Sequence, residues 1–232
     1  MFTSSLAAHL SPALRLGTAA CLGSLLLGGA VSCADNDAPH ARAADPTPST
    51  TSAVPQPSAA PSALGLEAHV VDGDALPGFA AHGRPVVQDL KTFAREHDKT
   101  VAELRRTGMV AGSSLMFDPA AGDGFAMSIA ARFADEDQAR TEAARLFAAN
   151  AKPEDGTRVA PLTVPGVPDA RAVTLSARQG GTSFTGVEIV FADGVVTHEL
   201  FAFGEESRFD PQDAVSAAAA LYERVAGHPL AD

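Results

Sequence analysis

The chain of 232 residues contains no tryptophan, a single tyrosine (Tyr222) and two cysteines. Without those rings it lacks the usual platforms on which sugars or single-stranded bases stack. Two cysteines cannot build a disulfide-dense scaffold or an all-cysteine zinc site, which takes four thiolates. Positive charge is scarce too: 17 Lys+Arg stand against 28 Asp+Glu, for a formal charge of −11. The chain therefore lacks the basic face that nucleic acid requires, and no nucleic-acid partner is expected. There is no Gly-x-x-x-x-Gly-Lys phosphate loop, no His-Glu-x-x-His pattern and no Gly-x-Ser-x-Gly nucleophile elbow. These absences lead us to expect no cofactor, no metal and no catalytic constellation.

What is present begins with an export signal. Arg15 is the only charged side chain in the first 34 residues, and an uncharged, largely apolar run follows from Leu16 to Val31. Leu22, Leu25, Leu26 and Leu27 form its centre, and Gly17, Gly23, Gly28 and Gly29 interrupt it. The run is short for a membrane span, which needs about 20 mainly apolar residues. It suits the core of a signal peptide, residues 1–32.

The segment after that core, Ala30-Val31-Ser32-Cys33, resembles the lipobox of bacterial lipoproteins. The usual pattern is Leu, two small residues and Cys; Ala30 departs from the preferred Leu. The resemblance implies that the Cys33 thiol carries diacylglycerol and that cleavage just before it makes Cys33 the first mature residue. Thr18-Ala19-Ala20-Cys21 is a second match, but almost no apolar core precedes it. The alternative is an ordinary secretory signal cut after Ala34. Cysteine usage favours the lipobox: Cys21 leaves with the signal, so Cys33 would otherwise be a lone free thiol in an exported protein. Two or three acyl chains, at about 0.8 kcal/mol per CH₂, hold a protein stably on a membrane.

Residues 34–63 are rich in Ala, Pro, Ser, Thr and Asp, and Val54 is their only large apolar residue. Such a stretch buries too little surface to offset its ordering entropy, and proline keeps it extended. We therefore expect residues 33–63 to be a lipidated cysteine followed by a disordered tether. Lys91, Lys99 and Lys152 are the only lysines, so Arg dominates the basic residues. With the abundant Ala, the lipobox and the Thr/Pro tether, the chain resembles actinobacterial surface lipoproteins. That implies attachment at the outer face of the cytoplasmic membrane, with secretion as the alternative.

Residues 64–232 are long enough for one sizeable core. The pattern predicts a helix over 86–97 with Pro85 at its start, and a short helix opened by the capping box Thr100-Val101-Ala102-Glu103 and stopped by Gly108. Strands follow over 109–117 and 125–133, then a helix from the cap Asp135 to Asn150. A Pro/Gly-rich segment covers 152–168. Strands are predicted over 170–177, 183–191 and 195–203, with Gln179-Gly180-Gly181 and Ala192-Asp193-Gly194 as hairpin turns. Asp210 caps a last helix that Gly227 and Pro229 end. The expected fold class is α+β: a two-layer sandwich with an antiparallel sheet of about five to seven strands and helices on one face. A strand–strand–helix half, 109–150, and a strand–strand–strand–helix half, 170–227, suggest an internal repeat. The arrangement over 110–227 resembles small α+β domains of actinobacterial lipoproteins and of mycobacterial kinase sensor domains, which implies an envelope location.

Isolated candidate residues each have a plain structural role. Asp72-Gly73-Asp74 could be half a calcium loop, with His69 and His82 beside it, but the spaced carboxylates of a calcium loop are missing and a solvated turn is expected. His198 and Glu199 fall on opposite faces of a strand and cannot act on one substrate together. Ser113, Ser114 and Ser183 have no triad context, Gly180-Gly181 is a turn, and Asp135-Glu136-Asp137 complements a helix dipole. Glu205-Glu206 beside Arg208 is expected to be a solvated loop. The expected function is a lipid-anchored, non-enzymatic envelope protein whose domain binds an envelope protein or a small hydrophobic ligand. The alternatives are a sensor or accessory subunit of a membrane kinase or transporter, and a secreted enzyme with a scattered site.

Overall fold

The structure, a computed structural model, describes residues 64–152 and 156–230. The expected signal peptide, Cys33 and the expected tether therefore lie outside the described residues. A 3-10 turn over Leu66–His69 leads into two short strands, β1 (Phe79–Ala81) and β2 (Val86–Gln88). Helices α1 (Leu90–Glu96) and α2 (Val101–Arg106) follow, then β3 (Met109–Pro119), β4 (Gly124–Phe133) and α3 (Glu136–Asn150). The chain continues through β5 (Arg158–Leu162), β6 (Arg171–Gln179), β7 (Thr182–Asp193), β8 (Val196–Glu205) and α4 (Pro211–Val225). All strands join one eight-stranded antiparallel sheet in the order β1-β3-β4-β8-β7-β6-β5, with β2 beside β1 on the outer edge of β3. The class is thus α+β, as expected, with one strand more than the expected range.

Caps and turns act where the sequence places them. Thr100 accepts from the Glu103 amide while the Glu103 carboxylate accepts from the Thr100 amide, closing the capping box of α2. Asp135 and Asp210 cap α3 and α4 through the amides of Gln138 and Gln212. Gly180 and Gly181, with φ of 59° and 89°, make the two-residue turn of the β6–β7 hairpin.

Two short elements differ from expectation. The predicted helix over 86–97 begins only at Leu90, because Val86 and Val87 pair with Ser114 and Ser113 as an edge strand and Asp89 caps the helix behind them. β-Branched residues beside an unpaired strand edge gain more there than in a first helical turn. The Pro/Gly-rich segment contains β5, an edge strand in which Pro161 is tolerated because only one side of the strand is paired.

The larger difference is layering. Helices cover both faces of the sheet rather than one. One face carries Leu115, Phe117, Ala126, Ala130, Val187, Ile189, Phe191, Leu200 and Ala202, sealed by the segment from Leu66 to Leu76 and by Ala214, Val215, Ala218, Leu221 and Val225 of α4. The other carries Ile129, Ala131 and Phe133 under Phe93 and Ala94 of α1, Leu104 of α2 and Ala139 of α3. Central strand β7 is buried continuously from Phe184 to Phe191, so both of its faces need a cover. Because α3 and α4 lie on opposite faces, the two halves are not superposed copies. A parallel bridge between Leu64 and Leu230 ties the start of the domain to its end.

Candidate functional site

The face under α1–α3 is covered over only part of its length. Strand register places Met116, Met127, Phe201, Glu188 and Val173 in one row across β3, β4, β8, β7 and β6. The adjacent row holds Phe125, Phe203, Gly186 and Leu175. Beyond it, Phe184 pairs with Ala177 and Glu205. Phe125, Phe201, Phe203 and Leu175 are half-buried and belong to neither core, and Met116 is 37% exposed. Their rings pack on one another: Phe125 stacks on Phe201 at 5.1 Å and Phe184 on Phe203 at 5.3 Å. Val86, 63% exposed, pairs with Ser114 at the sheet edge, in the neighbouring row that holds Ile129.

Gly112 shows how the covered part is packed. A Cβ at this position would fall 2.2 Å from Cδ2 of Phe93, so the Phe93 ring lies directly on the strand backbone. Phe93 in turn stacks on His97 at 4.0 Å. Burial lowers the His97 pKa to about 4, with Lys99 adding to the effect, so the ring packs as a neutral aromatic.

An acid pair sits where the covered and open parts meet. The Asn150 side-chain amide, on the last residue of α3, donates to Glu188 Oε1 at 2.9 Å and to Glu199 Oε1 at 3.2 Å. Glu188 is 1% exposed and its Oε2 has no hydrogen-bond partner. Burial raises the Glu188 pKa well above the carboxylate range, and the Glu199 charge raises it further. Burial raises Glu199 as well, against the pull of Lys99. Glu142, also buried, is engaged by Arg145 through two hydrogen bonds of 2.5 and 2.6 Å. Neither Glu188 nor Asn150 stands out as a site residue in the sequence. The available signal was a lone acidic residue inside an apolar strand, which the hairpin register sets beside Glu199.

The opposite face holds the histidines. His198 Nδ1 donates to the His69 carbonyl at 3.0 Å, leaving its Nε2 and both ring nitrogens of His69 buried without partners. His198 lies between His69 and Phe191, at 5.5 and 4.5 Å. It is a buried sheet histidine facing away from Glu199. The remaining candidates disperse: Asp72 pairs with Arg224, His82 Nδ1 meets Asp118 at 3.1 Å, and Glu205 meets Arg208 at 3.3 Å. His69 is buried in the core and His82 is engaged by Asp118, so neither is paired with Asp72 or Asp74. Among the described residues no group of three or more His, Cys, Asp or Glu could hold a metal ion, and no helix is long and apolar enough to cross a membrane. Ser113 is buried with no partner for its hydroxyl.

Two clefts accompany these features. One, of about 500 Å³, is lined by Thr185, Glu206, Arg208, Asp210 and Asp213 among others, at the start of α4. The other, of about 330 Å³, is lined by Leu66, Glu67, Val87, Ala111, Arg132 and Leu230 with Gly65. Neither lies on the open apolar rows.

No family model and no curated protein matches the chain. Among solved structures, the chain is similar to the extracellular domain of PknH from Mycobacterium tuberculosis, with a TM-score of 0.42 and 14% identity, over 63% of this chain and 84% of that one.

Proposed function

We propose that this is a non-enzymatic protein of the cell envelope, anchored through Cys33 to the outer face of the cytoplasmic membrane, whose domain docks a partner protein on the open apolar part of its sheet. The observation that carries the docking reading is the set Met116, Phe125, Phe201 and Phe203: apolar, partly exposed, and outside both cores. A contiguous apolar surface of this kind marks a contact surface on a folded domain. A deep apolar cavity would have favoured a small hydrophobic ligand; the larger cleft is lined mostly by polar and charged groups, and the smaller mixes Leu66, Val87, Ala111 and Leu230 with Glu67 and Arg132. The anchoring reading rests on the signal core and on Ala30-Val31-Ser32-Cys33.

Site-specific photo-crosslinking in the exporting cell tests this. A photoreactive side chain at Met116 should give one stoichiometric protein adduct, which the same probe at exposed Glu223 on α4 does not give. Met116→Glu should abolish co-purification of that partner without changing Tm. A diffuse set of neighbours, or equal capture from both positions, would refute the docking surface.

A further inference from the structure

We propose that Glu188 and Glu199 hold a shared proton that latches the C-terminal end of α3 over the sheet, and that losing this proton releases Asn150 and widens the open apolar surface. This deepens the docking reading and rests on it for its purpose; the latch itself does not.

The geometry sets the argument. Glu188 and Glu199 project from neighbouring strands onto the same face, where Glu199 pairs with Val190 and Glu188 with Phe201. One side-chain amide bridges both carboxyl groups, and that amide belongs to the last residue of α3. Two carboxylates sharing one site cannot both ionise without strong mutual repulsion. The carboxyl-terminal end of a helix adds negative potential of its own. The two carboxyl groups are hydrogen-bonded to each other and Glu188 Oε2 accepts from no donor, so the proton resides on Glu188 and is shared with Glu199.

The surrounding charges do not remove the conflict. Lys99, from the link between α1 and α2, faces Glu199 and favours its ionised form. Glu142, on α3, opposes that ionisation. Arg145, also on α3, senses Glu199 but directs two hydrogen bonds to Glu142. From β6 the residue paired with Glu188 is apolar Val173, and exposed Arg171 lies in the Glu199 row with Val190 between them. Among the described residues, Asn150 is the one hydrogen-bond donor that favours ionised Glu188, whereas the hydrogen bond with Glu199 favours its protonated form. When the proton passes to solvent, two charges remain under one neutral amide. The relaxation that hydrates them lifts Asn150, and with it the last turn of α3, off the row that begins the open surface.

Hydrogen–deuterium exchange on the full chain tests this without any partner. After correction for the intrinsic pH dependence of exchange, peptides covering residues 145–150 should lose protection between pH 5 and 9. Up to about tenfold per pH unit is expected above the pair's own titration. Glu188→Gln should stay protected throughout, and Asn150→Ala should be unprotected at every pH. Infrared spectroscopy of the wild type, at the pH where residues 145–150 are protected, should show a protonated carboxyl band that Glu188→Gln loses. Identical exchange profiles for wild type and Glu188→Gln, or no such band in the wild type, would overturn the latch. Either result leaves the Met116 crosslink unaffected, so the two readings fail separately.

Discussion

The imidazoles of His69 and His198 stack in the core with centroids 5.5 Å apart, and three of their four ring nitrogens have no hydrogen-bond partner. Burial lowers the pKa of His69 to about 4 and that of His198 to about 3, and the Arg224 guanidinium pushes both the same way. Both rings are neutral in the folded protein above these values. The unfolded chain takes up protons near pH 6.5, so folding stability is full above that pH and falls as pH drops toward 4. Denaturant unfolding should show a loss on the order of 2 kcal/mol per histidine at pH 5 relative to pH 7.5. The acid pair acts with the opposite sign: its raised pKa costs stability as pH rises from about 4.5 through its folded value. His69→Phe, which removes a ring making no hydrogen bond through its nitrogens, should flatten the acid limb. An unchanged slope in that variant would show that the histidine pair does not govern it.

Gly112 is required by contact rather than by backbone conformation. Gly112→Ala pushes a methyl into Phe93, whose ring is held between the strand and His97. The expected loss is about 1–3 kcal/mol, as for other overpacked cores. Phe93→Leu should recover part of it in the double variant, and a double-mutant cycle in denaturant reads the coupling directly.

Arg224 fastens α4 to the first described segment. Its guanidinium donates to the carbonyls of Ala68 at 3.1 Å and Val70 at 2.6 Å, and it pairs with Asp72. A lysine cannot reproduce this fork. Arg224→Lys should cost about 1–2 kcal/mol and Arg224→Ala about 2–3 kcal/mol, because two half-buried carbonyls lose their donor. Thermal unfolding of the two variants gives the ranking; equal Tm values for lysine and wild type would show that charge alone suffices.

Cys33→Ser should abolish fatty-acid labelling and release the protein from membranes. Retained label or retained membrane association in this variant would refute the lipobox reading.

Most of the architecture was legible in the sequence because it depends on local signals. The Thr100/Glu103 box, the Asp135 and Asp210 caps and Gly180-Gly181 fixed three helices and a hairpin to within a residue or two. Short edge strands were not legible: Val86-Val87-Gln88 and Arg158–Leu162 are strands only because β3 and β6 offer them a pairing partner. The layering was missed because α3 and α4 both read as amphipathic helices after strands, and which face each one takes depends on long-range order. The alternation placing His198 and Glu199 on opposite faces was legible. The meeting of Asn150, Glu188 and Glu199 was not, since it joins a helix end to two strands 38 and 49 residues away.

The bridge between Leu64 and Leu230 fixes where the chain enters the domain. Leu66, two residues on, lines a cleft with Ala111 and Arg132, at the end of β4 remote from Phe125 and on the other side of the sheet. Seven residues of strand separate those ends, roughly 23 Å. Under the proposed anchoring through Cys33, a body entered at Leu64 would turn its Phe125 end away from the membrane, toward whatever stands farther out.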